Sequence, residues 1–226
     1  MSAIQPIEGD DSEQSGIWLS QHQRFVFQSK KREHDVLMLG DSILQNFQNS
    51  SVYKSLIEPL HVLNFCIYND QTQNVLWRIQ NGELGGFRPK VIILNIGTHN
   101  KNHNAEEIVE GIMEIIKVLQ EKMPNSHILL LGLLPCGRNP NPKRTKHEKV
   151  NLLLSQTTKS INNLTFINPD PEKFLQPDGT ISHQDMLDYL HPTEAGYSKL
   201  ADLLSDDLQS CLQTFLKTNA PFTNSN

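Results

Sequence analysis

Five apolar runs punctuate the chain: DVLMLG at 35–40, HVLNFCI at 61–67, VIILNIG at 91–97, HILLLGLL at 127–134 and LTFINPD at 164–170. Each has strand length, and most lack the strict alternation of a strand with one wet face. That pattern predicts strands covered on both sides. The stretches between them carry a helical period. AEEIVEGIMEIIKVLQEKM at 105–123 sets Ile108, Ile112, Ile115, Ile116 and Leu119 on one stripe, with Asn104 and Glu107 in near capping-box positions and Pro124 closing it. EAGYSKLADLLSDDLQSCLQTFL at 194–216 is a second helix, capped by Thr193 and apolar at Tyr197, Leu200, Leu204, Leu208 and Cys211. ILQNFQNSSVYKSL, directly after the first run, reads as a third. Strand–helix alternation repeated about five times predicts a parallel sheet with helices on both faces. In such a sheet the working residues leave the C-terminal strand ends.

Composition narrows the picture. The chain's 226 residues suit one large domain or two small ones, and no low-complexity linker divides them. Residues 1–15 read as a disordered arm and 218–226 as a flexible tail, leaving a single domain over 16–217. With 20 Lys+Arg against 25 Asp+Glu the formal net charge is −5, which disfavours nucleic acid or an anionic membrane as the main partner. No apolar run approaches the ~20 residues of a membrane span, and the polar, acidic start lacks the features of a signal peptide. Cys66, Cys136 and Cys211 show no CxxC or short ligand spacing, as expected of free thiols in a reducing, cytoplasmic setting.

Two places could carry chemistry. Gly40-Asp41-Ser42 ends the first strand and opens a helix, where free backbone N–H groups and the positive dipole end can stabilise an oxyanion. Ser42 could serve there as a nucleophile, or Ser42 or Asp41 could simply cap the helix. Asp188-Tyr-Leu-His191 precedes the last helix, and one turn could present both side chains, the carboxylate orienting the imidazole as a general base. An ordinary exposed polar turn is the other reading. Ser42 and the Asp188/His191 pair nevertheless fall on the same rim of such a sheet, and the conjunction is more specific than either part. No GxGxxG or GK[ST] follows a strand, which removes a nucleotide-binding reading.

Gly40-Asp41-Ser42, Gly97-Thr98-His99-Asn100 and Asp188-x-x-His191 resemble the blocks of the SGNH (GDSL-type) hydrolases. RFVFQSKKREHDVLMLGDS, PLHVLNF, QNVLWRIQNGEL, GLLPCGRNPNP and DGTISHQDMLDYLH further resemble the catalytic subunits of intracellular platelet-activating-factor acetylhydrolase type Ib, from about Trp18 to the C-terminal helix. The resemblance implies a three-layer α/β/α flavodoxin-like fold with a five-stranded parallel sheet. It implies a serine esterase removing the sn-2 acetyl group of an ether phospholipid through an acyl-enzyme, with no metal or organic cofactor. By position Ser42 becomes the nucleophile, His191 the general base and acid, and Asp188 the orienting carboxylate. A homo- or heterodimer and association with a WD-repeat β-propeller protein are also implied.

The chain departs from the family pattern at its oxyanion hole, built in the family from the Ser42 position, a glycine and an asparagine. Tyr68 and Asn69 replace a Gly-Gly pair, and His99 replaces the asparagine. Asn69 keeps a backbone N–H and tolerates a left-handed conformation, whereas the Tyr68 ring stands where the acyl group should bind. A neutral His99 can donate one hydrogen bond in the right tautomer. These departures leave a second expectation open: a weak or inactive subunit retained for dimerisation and propeller binding. The remaining features read as structural. His99 and His103 lack a third zinc ligand, Cys66 is a small buried hydrophobe, Trp77 belongs to the core and Arg78 to an ion pair. Lys143, Arg144, Lys146 and Lys149 are expected on a solvated helix face, with phospholipid headgroup attraction the alternative.

Overall fold

The computed structural model describes residues 2–11, 16–30 and 34–218, with side chains to Phe215. Five strands, β1 (Val36–Gly40), β2 (Val62–Cys66), β3 (Val91–Asn95), β4 (His127–Leu131) and β5 (Leu164–Ile167), form one all-parallel sheet in the order β2-β1-β3-β4-β5. The helices are α1 (Ile17–Gln28), α2 (Ser42–Phe47), α3 (Ser51–Leu56), α4 (Thr72–Gln80), α5 (Ala105–Lys122), α6 (Pro142–Thr157) and α7 (Glu194–Thr218).

The pleat sends alternate strand residues into two separate cores. Leu37, Leu39, Phe65, Ile92, Leu94 and Leu130 meet α1, α4, α5 and α6 on one face. Met38, Ile93, Leu129 and Leu131 meet α2, α3 and α7 on the other. The three-layer α/β/α arrangement expected from the apolar runs is therefore present. Strand order reverses between β1 and β3, and a crevice opens at such a switch point beyond the strand ends. The loops leaving β1 and β3 carry Ser42 and His99. Gly40 allows the two strands to close up there, since a Cβ on it would lie 2.2 Å from the Asn95 carbonyl oxygen.

Two differences from expectation have clear causes. The helix after Ser42 is broken into α2 and α3, because the Ser50 hydroxyl accepts from Tyr53 N (3.2 Å) and starts a new helix. Residues 2–11, expected within a disordered arm, lie against α4 instead. Thr72 Oγ1 donates to Ala3 O (3.1 Å), Ile7 N to Gln73 O (3.1 Å) and Asn74 Nδ2 to Ile7 O (3.2 Å). These bonds use the arm's backbone, which its polar side chains do not advertise. Residues 12–15 of that arm and 219–226 of the expected tail lie outside the described residues.

Candidate active site

Asp41 caps α2, its Oδ1 accepting from Ile43 N (3.0 Å), and so frees the next residue, Ser42, to point at the rim. The capping reading of the Gly-Asp-Ser segment thus falls on Asp41, and Ser42 has no part in it. Ser42 Oγ lies 2.8 Å from His191 Nε2. His191 Nδ1 lies 2.7 Å from Asp188 Oδ2, while Asp188 Oδ1 accepts from the backbone N–H groups of His191 (2.7 Å) and Leu190 (3.1 Å). Partial burial works to raise the Asp188 pKa. The hydrogen bonds from His191 and Leu190 outweigh it, and the carboxyl sits below its ordinary value. An ionised Asp188 fixes the proton on His191 Nδ1, leaving Nε2 as the acceptor that faces the Ser42 hydroxyl.

His99 approaches from the β3 side, with Nε2 3.1 Å from Ser42 Oγ. Burial, then the charges of Lys143, His191 and Lys101, push its pKa down to about 4, so the ring is neutral near pH 7. With the Ser42 proton directed to His191, the Nε2–H tautomer of His99 can donate to Oγ. Gly97, at φ 124°, makes the turn that brings it there. Asn69 takes the left-handed conformation, φ 64°, at the end of the loop after β2. The Tyr68 ring stacks on His191 with centroids 5.7 Å apart at 19°, and leans over His99 at 6.3 Å. It remains 44% exposed, a wall over the two imidazoles and not a plug beneath them. Asp41 is wholly buried, and burial, opposed by the Ile43 N–H, lifts its pKa to about 7.

Apart from Arg78, sequence patterns gave no role to the residues that hold these loops. Asn100 accepts from Thr72 N (3.1 Å) and donates to Thr72 Oγ1 (2.9 Å) and Gln73 Oε1 (3.1 Å), tying the His99 loop to α4. Asp70, next to Asn69, accepts from Trp18 Nε1 (2.7 Å) and Arg78 Nε (2.8 Å). Arg78 continues to Glu83 Oε2 (2.5 Å), and Glu83 Oε1 meets His22 Nδ1 (2.9 Å). Arg78 is thus an ion-pair residue as expected, Cys66 is buried, and Trp77 packs against the core. His103 turns to Asn100 (3.3 Å), and among the described residues no three His, Cys, Asp or Glu side chains converge as metal ligands. No helix among them is long and apolar enough to cross a membrane.

A serine at a helix start, an imidazole and a carboxylate meet on the rim of a five-stranded parallel sheet, an arrangement that suits a hydrolase of the GDSL type. The chain belongs to the GDSL-like lipase/acylhydrolase family, whose model matches residues 38–199. It is 42% identical over 201 residues to platelet-activating factor acetylhydrolase IB subunit alpha1 of Homo sapiens, covering 89% of this chain and 84% of that protein. To subunit alpha2 of Homo sapiens it is 42% identical over 211 residues, covering 93% and 90%. A solved GDSL-like lipase from Bacteroides thetaiotaomicron shares the fold, with a TM-score of 0.68, 16% identity and coverage of 85% of this chain and 98% of that one.

Proposed function

We propose that the protein is a serine esterase that removes a short acyl group, acetyl foremost, from an ether phospholipid of the platelet-activating-factor type. The reading rests above all on the relay from Ser42 Oγ through His191 to Asp188, with links of 2.8 and 2.7 Å. Ser42 attacks the ester carbonyl while His191 Nε2 takes its proton. The tetrahedral oxyanion is met by the backbone N–H groups of Ser42 and Asn69 and by His99 Nε2–H. His191 then protonates the leaving alcohol, and water activated by the same imidazole frees the acid. Tyr68 walls the acyl site and favours small groups. A cytoplasmic setting, a dimer with a second such subunit and a β-propeller partner follow from the similarity to the IB subunits.

A second reading is supported by Tyr68 and His99 together: a subunit whose oxyanion hole is too altered for useful turnover and whose role is dimerisation and propeller binding. Acetate release from a short-chain ester and from an acetylated ether phospholipid, with Ser42→Ala as the blank, decides between them. The esterase reading expects wild-type rates on the order of 10³-fold or more above that blank. Rates equal to the blank on both substrates would leave the scaffold reading.

A further inference from the structure

The basic cluster at the start of α6 divides when the chain folds. Arg144 turns inward, Nε donating to Cys136 O (3.1 Å) and Nη1 to Gly179 O (2.6 Å). Lys149 pairs with Glu106 on α5 (2.5 Å). Lys146 Nζ donates to the carbonyls of Asn100 (3.2 Å), Lys101 (3.2 Å) and His103 (2.9 Å), stitching the loop after β3 to α6. Lys143 is left over. Among the described residues neither its ammonium nor that of Lys101 has a hydrogen-bond or ion-pair partner, although carboxylates outnumber cations along the chain.

The two unpaired lysines share a cavity. With Thr98, Pro142 and Lys146 they line a space of about 350 Å³. Thr98 and Lys101 flank His99, and Lys101 also borders a neighbouring space of about 270 Å³ with His99 and Asn69. Their charge reaches the site as well. Lys143 is the foremost charge holding down the His99 pKa, and it also draws down that of Asp41. Lys143 is half-buried and Lys101 exposed; a half-buried ammonium without a counter-charge is costly, and a second lysine lining the same cavity adds to its pull on an incoming anion.

We propose that Lys101 and Lys143 form a subsite for a phosphoryl group carried by the ester substrate. The inference rests on the esterase reading and deepens it by naming the residues that receive the substrate's phosphate. The phosphate seats between the ammonium groups, and the acyl carbon is held over Ser42. Lysine suits this task as a compact point charge that accepts varied phosphate orientations.

The test compares two acetate esters with the same scissile bond, one of 3-hydroxypropyl phosphate and the other its uncharged dimethyl phosphate counterpart. Wild-type kcat/KM is expected to favour the charged ester by about tenfold. That preference shrinks toward unity in about 0.5 M NaCl, as screening shortens the reach of the lysines. It is lost in Lys101→Gln/Lys143→Gln, reversed in Lys143→Glu and kept in Lys149→Gln. Equal rates within this pair and also within a lipid pair, 1-alkyl-2-acetylglycerol with and without a 3-phosphate, or a preference indifferent to Lys143, would overturn the proposal. The same comparison on that lipid pair assigns a lipid headgroup if the preference appears only there, and phosphate itself if it appears in both pairs. Titration of the Ser42→Ala chain with 3-hydroxypropyl phosphate acetate separates the two readings. Binding that weakens about tenfold in the Lys143→Glu background supports the subsite even if turnover is absent, and equal binding in both backgrounds overturns it.

Discussion

The two sides of the rim around Ser42 are held by opposite means. On the His191 side the side-chain hydrogen bonds are local: Asp188, its side chain 52% exposed, accepts from three N–H groups within the next three residues, and the turn gains one distant backbone bond, from Gly137 N to Tyr189 O (2.7 Å). On the Asn69–His99 side the support is remote and buried. Trp18 from α1 and Arg78 from α4 clasp Asp70, and Glu83, which meets His22 of α1, holds Arg78 in turn, while Asn100 is clasped by Thr72 and Gln73. The half proposed to move protons depends chiefly on one turn. The half proposed to shape the oxyanion site depends on the packing of α1 and α4 against each other.

The largest effect should come from breaking the remote side. Arg78→Met leaves Asp70 and Glu83 buried without their shared cation, which is expected to cost roughly 3–5 kcal/mol of stability in urea denaturation. Asp188→Asn, at the half-exposed turn, should leave the midpoint nearly unchanged while abolishing most activity. If the two variants unfolded at similar urea concentrations, the contrast between the sides would be lost. Next in size is His99→Ala, expected to lower kcat by about 10² through loss of one oxyanion donor. An unchanged kcat would remove His99 from the oxyanion site.

A pH series sharpens the same comparison. His99 is held down to about 4 in the folded chain against an ordinary 6.5, so between those values the unfolded chain binds more protons. Its neutral form therefore contributes stability that is complete above about pH 6.5 and lost as pH falls toward 4. Asp41, lifted to about 7 from 3.8, works in the opposite sense, binding its proton in the folded chain and losing stability as pH rises through that window. The stability of wild type relative to His99→Asn should accordingly fall on acidification from pH 6.5 to 4. A difference that stayed flat across that window would contradict the buried, neutral imidazole. The smallest effect belongs to Tyr68→Ala, expected to raise the preference for butyryl over acetyl esters about threefold as the wall over His191 opens. No change in that ratio would take Tyr68 out of the acyl site.

The sequence was most legible where a single element carries its own signal. β1, β3 and β4 are buried on both faces and read as unbroken apolar runs, and α5 declares itself through its stripe and the reciprocal Asn104–Glu107 cap. Asp188 and His191 were legible for the same reason, being three residues apart. α1 was not, because its buried positions, Trp18, His22 and Phe25, include a polar ring serving an ion pair 61 residues away. His99 meets Ser42 across 57 residues, and the division of the α6 lysines depends on which carbonyls and carboxylates fold beside them. Neither leaves a periodic trace. The broken helix at Ser50 and the docked residues 2–11 turn on single hydrogen bonds that local pattern reading does not resolve.

The Trp18–Asp70 bond has an optical consequence. The chain has two tryptophans, and Trp18 and Trp77 stand 5.5 Å apart in the same corner. Trp18 donates its indole proton to the carboxylate beside Asn69. Intrinsic fluorescence excited at the indole band thus comes from one spot in the molecule, immediately behind the loop that carries Asn69. Emission intensity and wavelength become a label-free readout of whether that loop is seated, without any dye or substrate.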